Sequence, residues 1–144
     1  MKVVVQRSLS SSVSIDNKTV GKIKHGFVVL VGYTSGDNEE KNDYMIKKLI
    51  NLRIFEDDKG LMNKSLLDVD GEVLSISQFT LYGDCKKGNR PSFIGALNSK
   101  EASALYDDFN KKLSEYVHVE TGQFGADMKV NILNDGPVTI ILER

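Results

Sequence analysis

The first 33 residues contain four valine- and isoleucine-rich segments with very little sequence between them. The segments are Lys2 to Gln6, Ser12 to Asp16, Val20 to Lys24 and Phe27 to Tyr33. Their side chains alternate between polar and apolar or run apolar, as is typical of β-strands. Parallel neighbours need a connection of about a dozen residues or more. The short connectors, such as the turn Asp16-Asn17-Lys18, therefore predict an antiparallel meander.

Two later segments have the spacing of amphipathic helices. We expect the first to begin at Asp37, with Glu40 completing a capping box, and the second to begin at Asn98 with Glu101 in the same role. Apolar side chains recur every three or four residues along both. In the first they are Met45, Ile46, Leu49 and Ile50; in the second, Ala102, Leu105, Tyr106, Phe109, Leu113 and Tyr116. The aromatic residues of the second stripe are predicted to lie in the core.

Three more strands are predicted between and after the helices. Val73 to Leu81 leads into Tyr82-Gly83-Asp84, while Met128 to Leu133 and Val138 to Leu142 flank a tight turn from Asn134 to Pro137. The order of strands and helices indicates the α+β class. With 144 residues, of which 40% are hydrophobic, the chain can bury a core without disulfides or structural metal, so residues 1–144 are interpreted as one domain.

Charge and cysteine content restrict the possible partners. Nineteen basic and twenty acidic residues give a net charge of -1, so any contact with nucleic acid must be local. Lys86, Lys87 and Arg90 form one basic cluster, which is either such a contact or a solvated loop. The single cysteine, Cys85, and the absence of a bilayer-length apolar run predict a cytoplasmic protein without membrane contact.

Familiar catalytic and cofactor motifs are missing from the sequence. His25 and His118 have no cysteine or carboxylate at metal-ligand spacing, so no metal site is expected. The sequence contains no nucleophile elbow, phosphate-binding loop or dinucleotide fingerprint, and no cofactor is expected. Cys85 lies beside two lysines in a probable loop and is interpreted as a plain surface thiol.

Two stretches carry more polar residues than packing requires. Ser75 to Leu81 mixes polar and apolar side chains on both faces of a predicted strand, which indicates a polar site at the strand end. Asn134 to Thr139 is interpreted as a turn, in which Gly136-Pro137 is either trans or cis; about 5% of such bonds in folded proteins are cis.

At these two stretches the sequence resembles the D-aminoacyl-tRNA deacylase family, and the resemblance extends over the whole chain. Ser77-Gln78-Phe79-Thr80 is similar to the family's first signature, and Asn134 to Thr139 to its second. Three further segments match in the same order: Val5-Gln6-Arg7, Lys86 to Phe93 and Thr121 to Met128. The resemblance implies a largely antiparallel, barrel-like sheet with two main helices packed against it, in an obligate homodimer.

The resemblance also implies a mechanism of chiral selection. Gly136-Pro137, held in cis, would reach into the partner's pocket, where its carbonyls exclude L side chains and accept D-amino acids and glycine. Cleavage of glycyl-tRNA mischarged on tRNA(Ala) is therefore expected. Arg7 would hold this segment, and Phe124, Gly125 and Ala126 would contribute to substrate binding.

The remaining roles concern the ester and the tRNA. Backbone groups around Ser77, Gln78 and Phe79 would hold the ester at the tRNA 3' end, with the terminal ribose 2'-hydroxyl assisting water. Thr80 is either a covalent nucleophile or a positioning residue; no adjacent base is visible, which favours positioning. Lys86, Lys87 and Arg90 would meet acceptor-stem phosphates. The alternatives are a noncatalytic RNA-binding module and a hydrolase of free D-amino acid esters or N-acyl amino acids.

Overall fold

The computed structural model describes residues 1–144, which form strands and helices in alternating groups. The strands are β1 (Lys2–Ile15), β2 (Lys18–Ile23), β3 (Gly26–Gly32), β4 (Phe55–Glu56), β5 (Met62–Lys64), β6 (Glu72–Ser77), β7 (Val119–Thr121) and β8 (Lys129–Glu143). The helices are α1 (Glu39–Ile50) and α2 (Ser99–Leu113), and short 3₁₀ turns cover Leu67–Val69 and Phe79–Tyr82. This confirms the α+β class. Neither helix is long and apolar enough to cross a membrane.

The main sheet is barrel-like and nearly closed, as expected, but it is mixed rather than purely antiparallel. Strands β2, β1, β3, β6 and β7 follow one another in that order, and β8 pairs with β1. Strand β1 is antiparallel to β2, β3 and β8, whereas β6 is parallel to both β3 and β7. The parallel pairs arise because α1 and α2 lie in the connections before β6 and β7, and connections of that length return the chain in the same direction.

The predicted meander is wrong in one respect, because its first two strands are a single strand. One half of β1 pairs with β3, from Lys2 to Ser8, and the other half pairs with β2, from Ser11 to Ile15. Strand β3 therefore pairs with β1 and not with β2. The turn at Asp16-Asn17 is confirmed: both residues have positive φ, 48° and 63°, as a two-residue hairpin turn requires.

The predicted tight turn near the C-terminus is also wrong. Strand β8 continues through it, because β1 offers an antiparallel partner on both sides: Ser8 faces Asn134 and Gln6 faces Thr139. The register shifts between these pairs. Proline has no N–H for the ladder, so the chain bulges at Pro137 without reversing. The Gly136-Pro137 peptide bond is cis.

The helix caps follow local sequence, with one correction. Asn98 Oδ1 accepts from Glu101 N at 3.1 Å, which confirms the predicted cap of α2. The cap of α1 is Asn38, whose Oδ1 accepts from Lys41 N at 3.1 Å. Asp37 does not serve as the cap because its carboxylate accepts from Thr34 N at 2.8 Å.

The predicted core of α2 is correct except at its end. Ala102, Tyr106, Phe109 and Leu113 are buried. Tyr116 is exposed, because α2 ends at Leu113 and the chain no longer follows the helical period.

Strand β6 lies between two apolar clusters. The larger cluster packs the sheet against α1 and α2 and includes Val73. The smaller one lies among the strands and includes Leu74 and Ile76. Because both faces of β6 are buried, its C-terminal end at Ser77 is held firmly in place.

Candidate functional site

A cavity of about 260 Å³ opens at the C-terminal end of β6. Two sets of predicted site residues meet in its wall: Ser77, Gln78 and Phe79 on one side, and Phe124, Gly125 and Ala126 on the other. Most of the remaining wall is apolar and comes from β3, from α2 and the segment before it, and from the residues around the start of β8; it includes Val31, Leu97, Ala102 and Met128. A mostly apolar cavity with a few polar groups at one end is the usual form of a small-ligand site.

The backbone changes direction at the polar end of this cavity. Strand β6 ends at Ser77, so the predicted strand from Val73 to Leu81 is too long. Gln78 N donates to Val31 O at 2.7 Å, and the chain then enters the 3₁₀ turn Phe79–Tyr82. The first N–H groups of such a turn have no partner within it, so those of Phe79 and Thr80 take no part in the turn's own hydrogen bonds, and Phe79 lines the cavity. Backbone N–H groups in this position can stabilise a developing oxyanion.

Tyr106 links α2 to the buried part of β6. Its hydroxyl donates to Ser75 O at 2.8 Å, and its ring lies 6.0 Å from the ring of Phe124 in the cavity wall. Burial raises the pKa of Tyr106, so the hydroxyl remains a donor. The helical period correctly predicts that Tyr106 is buried but says nothing of its hydroxyl, which needs a partner once it is buried.

Thr80 stands apart from the other residues of its signature. It is exposed and does not line the cavity. Its Oγ1 accepts a hydrogen bond from Gln78 Nε2 at 2.6 Å. An amide N–H cannot take a proton from the hydroxyl, so this contact positions Thr80 without activating it as a nucleophile.

Gly136 and Pro137 also lie away from the cavity of their own chain. Both are exposed on the bulge of β8, and neither lines the cavity. Gly136 has a φ of 114°, in the region that favours glycine. The tip of the bulge therefore presents its main chain to the surroundings.

The bulge is fixed from below by Arg7, which is only 5% exposed. Its Nη1 donates to Ile54 O at 2.8 Å, and its Nε lies 2.8 Å from Asp135 Oδ2. Glu56 Oε1 is at the edge of ion-pair range, 4.0 Å from Nη2. A buried guanidinium held by one hydrogen bond to Ile54 O and by an ion pair with Asp135 supports the residue next to Gly136.

Asn134 closes the bulge from the side, a role that sequence reasoning missed. Its Nδ2 donates to Arg7 O at 2.9 Å and to Val138 O at 3.0 Å. The second bond spans the four residues that contain the bulge. Asparagine often bonds to nearby backbone in irregular segments, so its position before Gly-Pro was the available signal.

Lys86, Lys87 and Arg90 lie in an exposed loop, as the composition of the segment predicted, and this position is compatible with both interpretations of the cluster. Asp84 and Ser92 pair across its base, with N to O distances of 2.8 and 2.9 Å. The loop follows directly after the 3₁₀ turn at the cavity. The loop is therefore joined to the cavity wall through the short turn Phe79–Tyr82.

The family model described as D-Tyr-tRNA(Tyr) deacylase matches residues 4–143. The chain is 58% identical over 144 residues to the D-aminoacyl-tRNA deacylase of Clostridium novyi (strain NT), covering 99% of this chain and 97% of that protein. It is 57% identical over 144 residues to the D-aminoacyl-tRNA deacylase of Clostridium tetani (strain Massachusetts / E88), with the same coverage.

Solved structures agree with this fold along the whole chain. The structure named c-Myc DNA Unwinding Element Binding Protein superimposes with a TM-score of 0.95 at 40% identity, covering 100% of this chain and 99% of that one. A probable eukaryotic D-amino acid tRNA deacylase superimposes with a TM-score of 0.85 at 19% identity, covering 98% and 97%. The second likeness shows the fold alone.

Proposed function

We propose, since the chain belongs to the D-Tyr-tRNA(Tyr) deacylase family, that the cavity at the end of β6 is where it hydrolyses the ester between tRNA and a D-amino acid. As a member of this family the chain is a D-aminoacyl-tRNA deacylase, a hydrolase of aminoacyl-tRNA esters. The observation that carries the assignment of the site is the meeting of Ser77-Gln78-Phe79 with Phe124-Gly125-Ala126 in one cavity wall.

The chemistry needs little from protein side chains. An aminoacyl ester is already activated, so the enzyme must mainly hold it and stabilise the negative charge that forms on its carbonyl oxygen. The N–H groups at the start of the turn after Gln78 supply that stabilisation. The terminal ribose 2'-hydroxyl of the tRNA assists the attack of water. No protein nucleophile is required.

Thr80→Ala is expected to retain most of the turnover of the native enzyme. The hydroxyl accepts a hydrogen bond from Gln78 and has no base beside it, so its loss leaves the attacking group intact. The measurement is kcat and KM on D-aminoacyl-tRNA, with thermal unfolding as a check of the fold. Complete loss of turnover in a folded variant would instead indicate a covalent mechanism through Thr80.

Chiral selection is assigned to a second copy of the chain. Gly136 and Pro137 are exposed and lie outside the cavity of their own chain, so in this proposal they enter the cavity of a partner in a homodimer. Two features of β8 support a homodimer: it is hydrogen-bonded to β1 alone, and it carries the exposed apolar side chains of Leu133 and Ile141. A homodimer would cover both.

Selection then works by exclusion. The main chain at Gly136 and Pro137 faces the alpha carbon of the substrate, where an L side chain collides with it and a D side chain points away. Glycine has no side chain to exclude, so glycyl-tRNA mischarged on tRNA(Ala) is also a substrate. Arg7 and Asn134 hold the main chain in the position that exclusion requires.

Contact with the tRNA itself is assigned to a local cluster of basic side chains. Lys86, Lys87 and Arg90 are exposed in the loop that follows the turn at the cavity, and in this proposal they contact phosphates of the acceptor end, while the net charge of the whole chain gives no attraction. Since Cys85 has no partner for an intrachain disulfide, the enzyme is assigned to the cytoplasm.

The deciding experiment compares matched D- and L-aminoacyl-tRNA together with glycyl-tRNA. We expect the D ester and the glycyl ester to be cleaved and the L ester to persist. Sedimentation of the same sample is expected to give a dimer. Binding without cleavage would instead favour a noncatalytic RNA-binding module. Cleavage of free D-amino acid esters at the rate of the tRNA substrate would favour a small-ester hydrolase.

A further inference from the structure

Two exposed aromatic rings lie side by side at the mouth of the cavity. Phe79 is 57% exposed and Phe93 is 36% exposed, and their ring centroids are 5.0 Å apart at an interplanar angle of 69°. Ile94, the next residue, is 95% exposed. A contiguous exposed apolar patch of this kind usually marks an interaction surface. An edge-to-face pair uses one face of one ring, so other faces remain open to a ligand.

The aromatic pair extends outward from the site. Phe79 lines the cavity, whereas Phe93 does not, so Phe93 is placed to touch the part of a substrate that remains outside. Phe93 O accepts from Ala96 N at 2.9 Å. The following residues are bonded to the segment just after β3, with Leu97 N donating to Tyr33 O at 2.9 Å and Thr34 Oγ1 donating to Gly95 O at 2.6 Å. The ring is thus carried on a fixed segment.

The basic loop is joined to the same segment. Ser92, which pairs with Asp84 across the base of the loop, directly precedes Phe93. Lys86, Lys87 and Arg90 bring three cations to this loop, against the single carboxylate of Asp84. Lys86 N donates a hydrogen bond to one oxygen of that carboxylate, Oδ1, at 2.8 Å. A purely apolar partner would leave these cations without counter-charges, whereas a phosphate backbone supplies them.

We propose that Phe79 and Phe93 form a stacking platform for an unpaired base of the tRNA 3' end, the base preceding the nucleotide that carries the ester. Lys86, Lys87 and Arg90 hold the phosphates on either side of that base. Aromatic faces combined with a basic border are the usual means of binding single-stranded nucleic acid without reading its sequence. The inference rests on the proposed function and narrows its substrate to an ester on a single-stranded extension of at least two nucleotides.

The test uses Phe93, because it lies outside the cavity and outside the ester-holding segment. Phe93→Leu keeps an apolar side chain but removes the aromatic ring. Phe93→Trp keeps an aromatic ring and provides a larger stacking face. Each variant is assayed on D-aminoacyl-tRNA and on D-aminoacyl-adenosine, which has only the terminal nucleoside. Thermal unfolding and sedimentation of both variants accompany the assays.

We expect Phe93→Leu to lower kcat/KM for D-aminoacyl-tRNA about fivefold or more through KM, because stacking of one base is worth about 1–3 kcal/mol. Cleavage of D-aminoacyl-adenosine should not change, and Phe93→Trp should behave like the native enzyme on both substrates. An equal loss on the two substrates, or no recovery with tryptophan, overturns the platform. A change of oligomeric state in Phe93→Leu would show that a second copy covers the patch, which also overturns it. If the native enzyme fails to cleave D-aminoacyl-tRNA, the proposed function itself is wrong.

The charged border is tested separately by replacing Lys86, Lys87 and Arg90 together with alanine. The variant should bind all tRNAs more weakly, and the slope of log affinity against log salt should fall by about 0.7 to 0.9 for each phosphate contact that is lost. Phe93→Leu should leave that slope unchanged because it removes no charge. Unaltered affinity of the triple variant at low salt would exclude phosphate contacts by the loop and would overturn the proposal.

Discussion

Arg7→Lys is expected to lower the discrimination between D- and L-aminoacyl-tRNA by about tenfold or more, while cleavage of the D substrate stays within a few-fold of native. The guanidinium of Arg7 meets Ile54 O and the Asp135 carboxylate at the same time, each at 2.8 Å. Lysine keeps the charge, but its compact ammonium cannot reproduce the planar fork that reaches both. The segment from Asp135 to Pro137 should then move enough to admit an L side chain.

The measurement is kcat/KM on the D and L esters of one amino acid on one tRNA. Arg144→Lys is the matched control, since Arg144 is an exposed arginine whose guanidinium lies over the ring of Tyr44, 4.7 Å from the ring centroid. The control should leave discrimination unchanged. If Arg7→Lys rejects the L ester as well as the native enzyme does, Arg7 does not hold the wall against L side chains.

Local signals in the sequence predicted local features well. The turn at Asp16-Asn17 and the cap at Asn98 depend on residues within four positions of each other, so the sequence around them contains the whole cause. Asp37 and Asn38 are both suitable helix caps. The choice between them depends on Thr34 N, which donates a hydrogen bond to the Asp37 carboxylate. That contact belongs to the loop before the helix and has no signature in a helical pattern.

Features that depend on distant partners could not be predicted in the same way. The segment from Asn134 to Pro137 has the composition of a hairpin turn, yet both of its flanks pair with β1, at Ser8 and at Gln6. Nothing in the sequence near Asn134 shows that a single long strand, β1, pairs with both flanks. The parallel pairing of β6 with β3 and β7 has the same origin, because it is set by helices between the strands.

The candidate site shows the same division. Mixed polarity in Ser75 to Leu81 predicted a polar site at a strand end. Strand β6 stops at Ser77, the rest is a turn, and the cavity that opens there is mostly apolar, with Ser77 and Gln78 in its wall. Resemblance supplied the segments around Phe124 and Gly136, and the fold brings only the first of these to the cavity. Phe93 was missed as a functional candidate because its segment has the composition of an ordinary loop, and its contact with Phe79 exists only once the 3₁₀ turn is formed.

Gly136→Ala is expected to change both the rate on D substrates and the rejection of L substrates by about tenfold or more, since a displacement of about 1 Å at a reacting centre can cost a hundredfold. The backbone at Gly136 has a φ of 114°, which an L residue adopts only at a cost of about 1–3 kcal/mol. A Cβ there would lie 2.7 Å from Val138 Cγ2 and 3.1 Å from Arg7 Nη2. Val138 is buried and Arg7 is fixed by its own partners, so the main chain at the tip must shift.

Gly36→Ala separates this displacement from backbone strain. Gly36 has a φ of 82°, and a Cβ there would meet no atom within 4 Å, so the control carries the strain without the collision. It should lose about 1–2 kcal/mol of stability and keep the native ratio of D to L cleavage. Measuring kcat/KM on both esters beside thermal unfolding distinguishes the two effects. If the two variants change the D to L ratio alike, or if neither does, the contacts around Gly136 do not set the position of the main-chain wall, and chirality must be sorted elsewhere in the cavity.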